Sequence, residues 1–170
     1  MRDIKYTNKN KTYYDIVKDI LEHDEFLKLK DIKHHGLDRY EHNKRVSYYS
    51  YLTAKALRLD YESVARAGAL HDFFHDVNYD ATITKRLDTL ERHPRYSFET
   101  ASKHFDLNDK EKNIILSHMF PVVPKYLPKY LESWIVDIVD DWVGIGEKIY
   151  SMRKGFIRFA NILFIVFLYK

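Results

Sequence analysis

Apolar side chains recur at helical spacing along most of this chain, and few residues interrupt the pattern. Tyr13, Ile16, Val17, Ile20 and Leu21 form the first such run, with charged residues between them. The 170 residues include only five Gly and four Pro, which leaves little room for the tight turns of a multi-stranded barrel. The pattern therefore predicts an all-α, single-domain helical bundle of about six to eight helices.

Local start signals support two of the helices. Asp60 is expected to be an N-cap, and Asn108 with Glu111 three residues later resembles a capping box. Pro94 is interpreted as the start of another helix. The predicted helices span residues 12–29, 41–57, 60–72, 96–105, 108–118 and 130–150, and residues 76–92 are predicted to be irregular. The apolar face of the longest helix is expected to comprise Trp134, Ile135, Ile138, Val139 and Trp142.

The length of the chain fits one domain with two flanking segments. We divide it into a polar lead-in at residues 1–11, a helical domain at residues 12–154 and an apolar segment at residues 155–170. The last segment is shorter than the ~20 apolar residues that span a bilayer, and it contains Arg158 and Asn161. We expect it to form a final helix packed on the bundle. An oligomer interface is the first alternative, and membrane contact is the least favoured one.

Charge and cysteine content narrow the classes of partner and of site. The net charge of +3 is too small to indicate a nucleic-acid partner. The absence of cysteine excludes disulfides and thiolate metal sites. The first residues lack the pattern of a signal peptide, so a cytoplasmic location is expected. A homo-oligomer is left open.

The doublet His71-Asp72 marks the candidate site. It ends a predicted helix whose preceding residues, 64–70, are mostly small and apolar, so we expect the doublet to be buried. A buried carboxylate is costly unless it is paired or bound to a metal ion. Two interpretations stay open: a structural Asp–His hydrogen bond, or a metal site built from imidazoles and carboxylates. Further candidate ligands stand at His42, His93 and His118 and at Asp137, Asp140 and Asp141.

These residues, in this order, resemble the HD superfamily of metal-dependent phosphohydrolases. The matching segments are Glu41 to Val46, Leu70-His71-Asp72, His93-Pro94, Leu116-Ser117-His118 and Trp134 to Asp140. The resemblance implies a bundle of the HD-domain type with two divalent transition metal ions, drawn from Mn, Fe, Co, Ni and Zn. The implied ligands are His42, His71, Asp72 and Asp140 for one ion, and Asp72, His93 and His118 for the other. Val139-Asp140 matches the family pattern best, so Asp137 and Asp141 are interpreted as outer or surface carboxylates.

The resemblance also implies hydrolysis of a phosphate ester of a nucleotide or a similar small molecule. The residues expected to act in catalysis are Asp72, His75 and Asp76, and those expected to bind substrate are Arg45 and Arg95. His75 lies four residues after His71, so both can face one cavity if the helix continues; a surface histidine is the alternative. Arg45 can contact a phosphate through its fork of donors, or it can pair with a carboxylate such as Asp72 or Asp76.

Two other functions remain compatible with the same residues. Some proteins with this ligand order resemble the inositol oxygenase type, in which two irons cleave C–C or C–P bonds with oxygen. A non-catalytic sensor that keeps the pocket is the third interpretation. The ligand spacing does not separate these alternatives.

Overall fold

The protein is an all-α bundle, seen in a computed structural model of the chain. The structure describes the backbone of residues 11–34, 37–75 and 83–168, and the side chains of residues 13–32, 38–75 and 91–153. The α-helices in these ranges are α1 (Lys11–Leu21), α2 (Asp24–Leu27), α3 (Arg39–Ala56), α4 (Tyr61–Leu70), α5 (Ile83–His104), α6 (Asp109–Ser117) and α7 (Leu131–Leu168). The remaining elements are a 3-10 turn (Lys28–Asp31) and the antiparallel pair β1 (Lys33–His34) and β2 (Leu37–Asp38). The predicted fold class is confirmed.

Side-chain caps fix where three of these helices begin. The carboxylate of Asp38 accepts a hydrogen bond from the Glu41 backbone N–H at 2.8 Å at the start of α3. Asp60 caps α4 through the backbone N–H of Ser63 at 3.1 Å, as predicted. Asn108 opens α6 with both hydrogen bonds of a capping box present, which confirms that prediction. These caps satisfy backbone donors that would otherwise lack a partner within the helix.

The predicted helix at residues 12–29 is wrong in its extent, because the chain forms two helices there. The first, α1, ends at Leu21, and the ring Nδ1 of His23 then accepts a hydrogen bond from the Glu25 backbone N–H at 3.2 Å to start α2. Phe26 and Leu29 are buried in the same core as the apolar residues of α1. The apolar spacing therefore continues across the break and does not reveal it.

Two predictions about residues 76–104 also need correction. Helix α5 begins at Ile83, so residues 83–92 are helical rather than irregular. Pro94 lies inside this 22-residue helix and does not start it. A proline removes one backbone donor, but the rest of a long helix keeps its hydrogen bonds. Residues 76–82 lie outside the described part of the chain.

The last helix is longer than predicted, and it turns a different face to the core. Helix α7 spans 38 residues and continues through residues 155–168, where a separate final helix was expected. Trp134, Ile138 and Trp142 are 39%, 50% and 73% exposed, whereas Ile135 is buried. The helix has apolar residues on two sides, and the side that packs against the core is the one with Ile135 and Val143. Packing of residues 155–170 on the bundle stays a prediction, because their side chains lie outside the described residues.

Close packing of α3 against α4 places the candidate site. A Cβ atom added at Gly68 of α4 would lie 2.9 Å from the Cα of Ser47 of α3, so only glycine allows this approach. The Ser47 hydroxyl donates a hydrogen bond to the Ala65 carbonyl at 2.6 Å across the same contact. Helix α3 also packs against α7, and α6 packs against α4, α5 and α7. Four helices thus converge at the end of α4, where the His71-Asp72 doublet lies.

As far as the structure describes the helices, none has both the length and the apolar character needed to cross a bilayer.

Candidate metal centre

Six side chains from five parts of the bundle meet at the end of α4. His71 is the C-cap of α4, and Asp72 follows it. The others come from α3, from α5, from the C-cap of α6 and from α7; they are His42, His93, His118 and Asp140. The four histidines and Asp72 are buried, and Asp140 is partly buried with 18% of its side chain exposed. We call these residues the six-residue cluster.

The first half of the cluster surrounds the carboxylate of Asp140. His42 Nε2 lies 2.9 Å from Asp140 Oδ1, and His71 Nε2 lies 3.4 Å from the same oxygen. One donor atom each from His42, His71 and Asp72 lie within 4.8 Å of one another. This is a spacing at which one ion can reach all of these donors, given metal–nitrogen and metal–oxygen bonds of about 2 Å.

The second half of the cluster is built around Asp72. Donor atoms of Asp72, His93 and His118 also lie within 4.8 Å of one another. Asp72 Oδ1 is 3.5 Å from His93 Nε2 and 3.6 Å from His118 Nε2, and the two Nε2 atoms are 2.9 Å apart. Asp72 therefore belongs to both candidate ligand groups, which is the arrangement that a bridging carboxylate needs.

Backbone carbonyls orient two of the rings. His71 Nδ1 lies 2.8 Å from the Gly68 carbonyl, and His118 Nδ1 lies 2.7 Å from the Ile115 carbonyl. A carbonyl oxygen only accepts, so each Nδ1 must carry a proton, and in the neutral form of each ring the Nε2 lone pair is directed at the cluster. Metal-binding histidines commonly make this kind of outer hydrogen bond, which fixes the tautomer and the ring orientation.

Glu147 orients a third ring, and the sequence had not indicated it. Glu147 Oε2 lies 3.0 Å from His42 Nδ1, and Glu147 is 1% exposed. The contact joins residues 105 positions apart in the chain, so no local motif reveals it. The only sequence signal was that Glu147 lies seven residues after Asp140, and thus near the same face of the helix. His42, His71 and His118 therefore all direct Nε2 at the cluster, while Nδ1 on the far side of each ring is hydrogen-bonded.

The unpaired atoms of the cluster fit a metal ion. His71 Nε2 and Asp72 Oδ1 are both buried and have no hydrogen-bond partner among the described atoms. A buried polar atom without a partner costs about 1–3 kcal/mol. In the neutral form of His71 with the proton on Nδ1, the Nε2 lone pair faces the oxygen of Asp140, and two acceptors repel each other unless a cation lies between them. An imidazole and carboxylate donor set of this kind suits Zn, Mn, Fe, Co and Ni.

The charges in the cluster show the same need for a cation. Burial opposes protonation of His42, but the carboxylates of Asp140 and Glu147 outweigh it and raise the pKa of His42 to about 10. Burial also opposes ionisation of Asp72 and Asp140. The neighbouring imidazoles nevertheless hold the pKa of each carboxyl well below its usual range. Burial lowers the pKa of His93 to about 4, against the opposing charge of Asp72, so its ring is neutral and able to ligate at neutral pH.

The neighbouring aspartates differ in position from Asp140. Asp137 is buried, and burial together with the Asp141 carboxylate raises its pKa to about 7. Asp141 is exposed as a residue. Partial loss of water around its carboxyl group, together with the charge of Asp140, raises the pKa of that group. Among the three carboxylates, Asp140 makes the close contacts with His42 and His71. The geometry therefore favours the assignment of Asp140 that the sequence suggested.

The two arginines predicted to bind substrate, Arg45 and Arg95, differ in burial and in their partners. Arg45 is buried, and its Nη1 is 3.9 Å from Glu147 Oε1, a partner that the sequence had not indicated. Arg95 is mostly exposed and donates to Glu99 at 2.6 Å, and its position two residues from His93 points it to another side of α5. Their contact with substrate stays a prediction.

The helical argument for His75 is wrong, because α4 ends at Leu70 and residues 73–75 have no helical structure. His75 Nε2 instead lies 3.5 Å from Glu25 Oε2, near α2. Asp76 lies outside the described residues. A catalytic role for either residue stays a prediction.

Comparison with known families agrees with this geometry. Residues 39–142 match the family described as HD domain, which is more than half of the chain and includes every member of the six-residue cluster. The chain belongs to the HD-domain family. Its resemblance to metal-dependent hydrolases is thereby confirmed at the level of the superfamily. Glu147 lies beyond the residues that match the family. No curated protein and no solved structure matches the chain.

Proposed function

We propose that this HD-domain protein is a metal-dependent phosphohydrolase with a dinuclear centre. Its substrate would be a phosphate ester of a nucleotide or of a similar small molecule. Its expected location is the cytoplasm, a reducing compartment that fits the cysteine-free composition. The observation that carries the proposal is the position of Asp72, whose carboxylate belongs to two separate groups of donor atoms. Two ions that share one carboxylate form a clamp suited to phosphoryl chemistry.

The ligands divide between the two positions. His42, His71, Asp72 and Asp140 would hold one ion, and Asp72, His93 and His118 would hold the other. Bound there, the ions would lower the pKa of a water ligand and neutralise charge on the phosphate oxygens. The protein contributes fixed orientation, since three of the four rings are held at Nδ1 by Gly68, Ile115 and Glu147.

Other groups would act on the substrate rather than on the ions. Arg45 lies one turn beyond His42 on α3, so its guanidinium is on the same side of that helix and near the cluster. Its fork of donors suits a phosphate, and the adjacent Glu147 holds it in place. His75, Asp76 or solvent would protonate the leaving group, and Arg95 is the second candidate for substrate binding.

Phosphate release from a panel of nucleoside monophosphates and simple aryl phosphates tests the proposal, with Mn, Co, Fe, Ni and Zn each added to metal-depleted protein. We expect release of phosphate that is lost in Asp72→Asn and kept in the matched control Asp109→Asn, which changes an exposed carboxylate on α6. Oxygen uptake with iron, without phosphate release, would instead identify an oxygenase. Metal binding without either activity would identify a sensor.

A further inference from the structure

One side of α7 is apolar and exposed over about six turns. Among the α7 side chains that the structure describes, seven on this side are between 39% and 73% exposed. They are Leu131, Trp134, Ile138, Trp142, Ile145, Ile149 and Met152. We call this surface the α7 stripe. The positions 131, 138, 145 and 152 are each seven residues apart, which is the repeat that keeps one side of a helix facing a partner helix.

The area of the α7 stripe matches what a pair of proteins needs. From the exposed fractions of its side chains, the stripe amounts to on the order of 800 Å² of apolar surface. An ordinary monomer exposes a largest apolar patch of about 300–600 Å². A stable interface buries about 800 Å² on each partner. The stripe is therefore larger than expected of a monomer and sufficient for one specific contact.

Two charged residues along one edge of the α7 stripe indicate the direction of that contact. Asp141 and Lys148 are exposed on this part of α7 and seven residues apart, and neither forms a hydrogen bond or an ion pair with another described side chain. In an antiparallel pair with a two-fold axis near residues 144–145, each Asp141 faces the Lys148 of the second copy. In a parallel pair each charge would face its own kind, which is unfavourable.

We propose that the α7 stripe is a self-association surface on which a second copy of this chain binds antiparallel. A two-fold contact is isologous, so the same stripe supplies both halves of the interface and both Asp141–Lys148 pairs. An anionic lipid surface fits this region less well, because the exposed carboxylate of Asp141 borders the apolar side chains.

The contact would also bear on the metal centre, since α7 carries Asp140 and Glu147 on the side that faces α3. Pairing through the opposite side of α7 would fix the position of the helix that supplies these two carboxylates. The proposal stands independently of the phosphohydrolase activity, because it concerns a surface that the six-residue cluster does not include.

Sedimentation equilibrium of the full chain over a range of concentrations tests the proposal, with far-UV circular dichroism as a check of folding. We expect a dimer for the unmodified chain and a monomer for Ile145→Glu. The matched control is Val122→Glu, which places the same charge at an apolar residue that is 67% exposed outside α7; it should remain dimeric.

A charge exchange tests the antiparallel direction and does not depend on the behaviour of Ile145→Glu. Asp141→Lys and Lys148→Asp should each weaken dimerisation about tenfold or more, and the double variant should restore it. A monomer at every concentration would overturn the proposal, as would a dimer that neither Ile145→Glu nor the single charge changes weaken. Binding of the monomer to phosphatidylserine vesicles through Ile145 would also overturn it and assign the stripe to lipid.

Discussion

Glu147 Oε2 lies 3.0 Å from Nδ1 of His42, on the side of the ring opposite the candidate metal centre. The other ring nitrogen, Nε2, lies 2.9 Å from Asp140. The carboxylate of Glu147 thus accepts a hydrogen bond from Nδ1–H of His42, and Nε2 is directed at the cluster. Carboxylate–histidine pairs of this kind increase the basicity of the ligand and fix its orientation.

Removal of this support should weaken the metal centre without removing a ligand. Glu147→Ala should lower the affinity for Mn or Co about 10–100-fold, the usual effect of losing an outer hydrogen bond. Glu147→Gln should fall between this variant and the unmodified chain, because its amide oxygen can still accept from Nδ1. Calorimetric titration of the metal-depleted protein measures the change. Glu99→Gln is the matched control, because Glu99 pairs with exposed Arg95 and its substitution should leave the metal affinity unchanged. Unchanged metal affinity in Glu147→Ala would contradict the role of Glu147 in orienting His42.

Separate loss of the two ions is expected from variants in the two halves of the cluster. His93→Ala removes a ligand from the group around Asp72 and His118 but leaves His42, His71 and Asp140 in place. We therefore expect one bound ion per chain in His93→Ala. His71→Ala should lose the other ion, and Asp72→Ala should lose both. Elemental analysis after desalting gives the counts, and equal loss in His93→Ala and Asp72→Ala would argue for a single ion.

The raised pKa of Asp137 gives a pH-dependent contribution to stability. Its pKa is about 7 in the folded chain and near the ordinary value of 3.8 in the unfolded chain. The folded chain therefore binds the proton more tightly, and this stabilising effect is lost as the pH rises toward and through 7. Asp137→Asn removes the ionisation, so it should raise the melting temperature of metal-depleted protein more at pH 8 than at pH 5.

Thermal unfolding of both proteins at the two pH values measures this difference. Asp109→Asn serves as control, because that carboxylate is exposed and its substitution should shift the melting temperature little at either pH. An equal shift at pH 5 and pH 8 for Asp137→Asn would contradict burial of the carboxyl group as the cause of its raised pKa.

Gly68 should tolerate no side chain. A methyl group there would lie 2.9 Å from the Cα of Ser47, and backbone cannot move aside as a flexible side chain can. Gly68→Ala should therefore lower the free energy of unfolding by about 1–3 kcal/mol, as overpacking does. Gly146→Ala is the matched control, since nothing lies within 4 Å of its added methyl group, and it should be neutral or slightly stabilising. Urea unfolding compares the two, and equal stability would contradict the close approach of α3 and α4.

The sequence predicted the cluster better than it predicted the helices around it. All six residues of the cluster came from the order of His42, the doublet and the later residues, and the structure brings them together. The caps at Asp60 and Asn108 were also predictable, since a cap depends on residues three positions apart. Glu147 was not, because its contact with His42 depends on how α3 and α7 pack.

The burial of α7 shows a second limit of the sequence. Both sides of this helix are apolar, so periodicity alone does not decide which one packs. The structure buries Ile135 and Val143 and leaves Trp142 exposed, because Asp140 and Glu147 must face the histidines. The side of α7 that packs is thus the one that carries the two carboxylates in contact with His42.

Metal content of the untreated protein, counted per chain, tests the central claim most directly. It is measured beside His71→Ala and beside His104→Ala, which removes an exposed histidine that contacts His23 outside the cluster. We predict about two equivalents of a transition metal in the unmodified chain and in His104→Ala, and a loss in His71→Ala. No bound metal, and none taken up when Mn, Co, Fe, Ni or Zn is added, would contradict the metal centre and leave the cluster as a structural network.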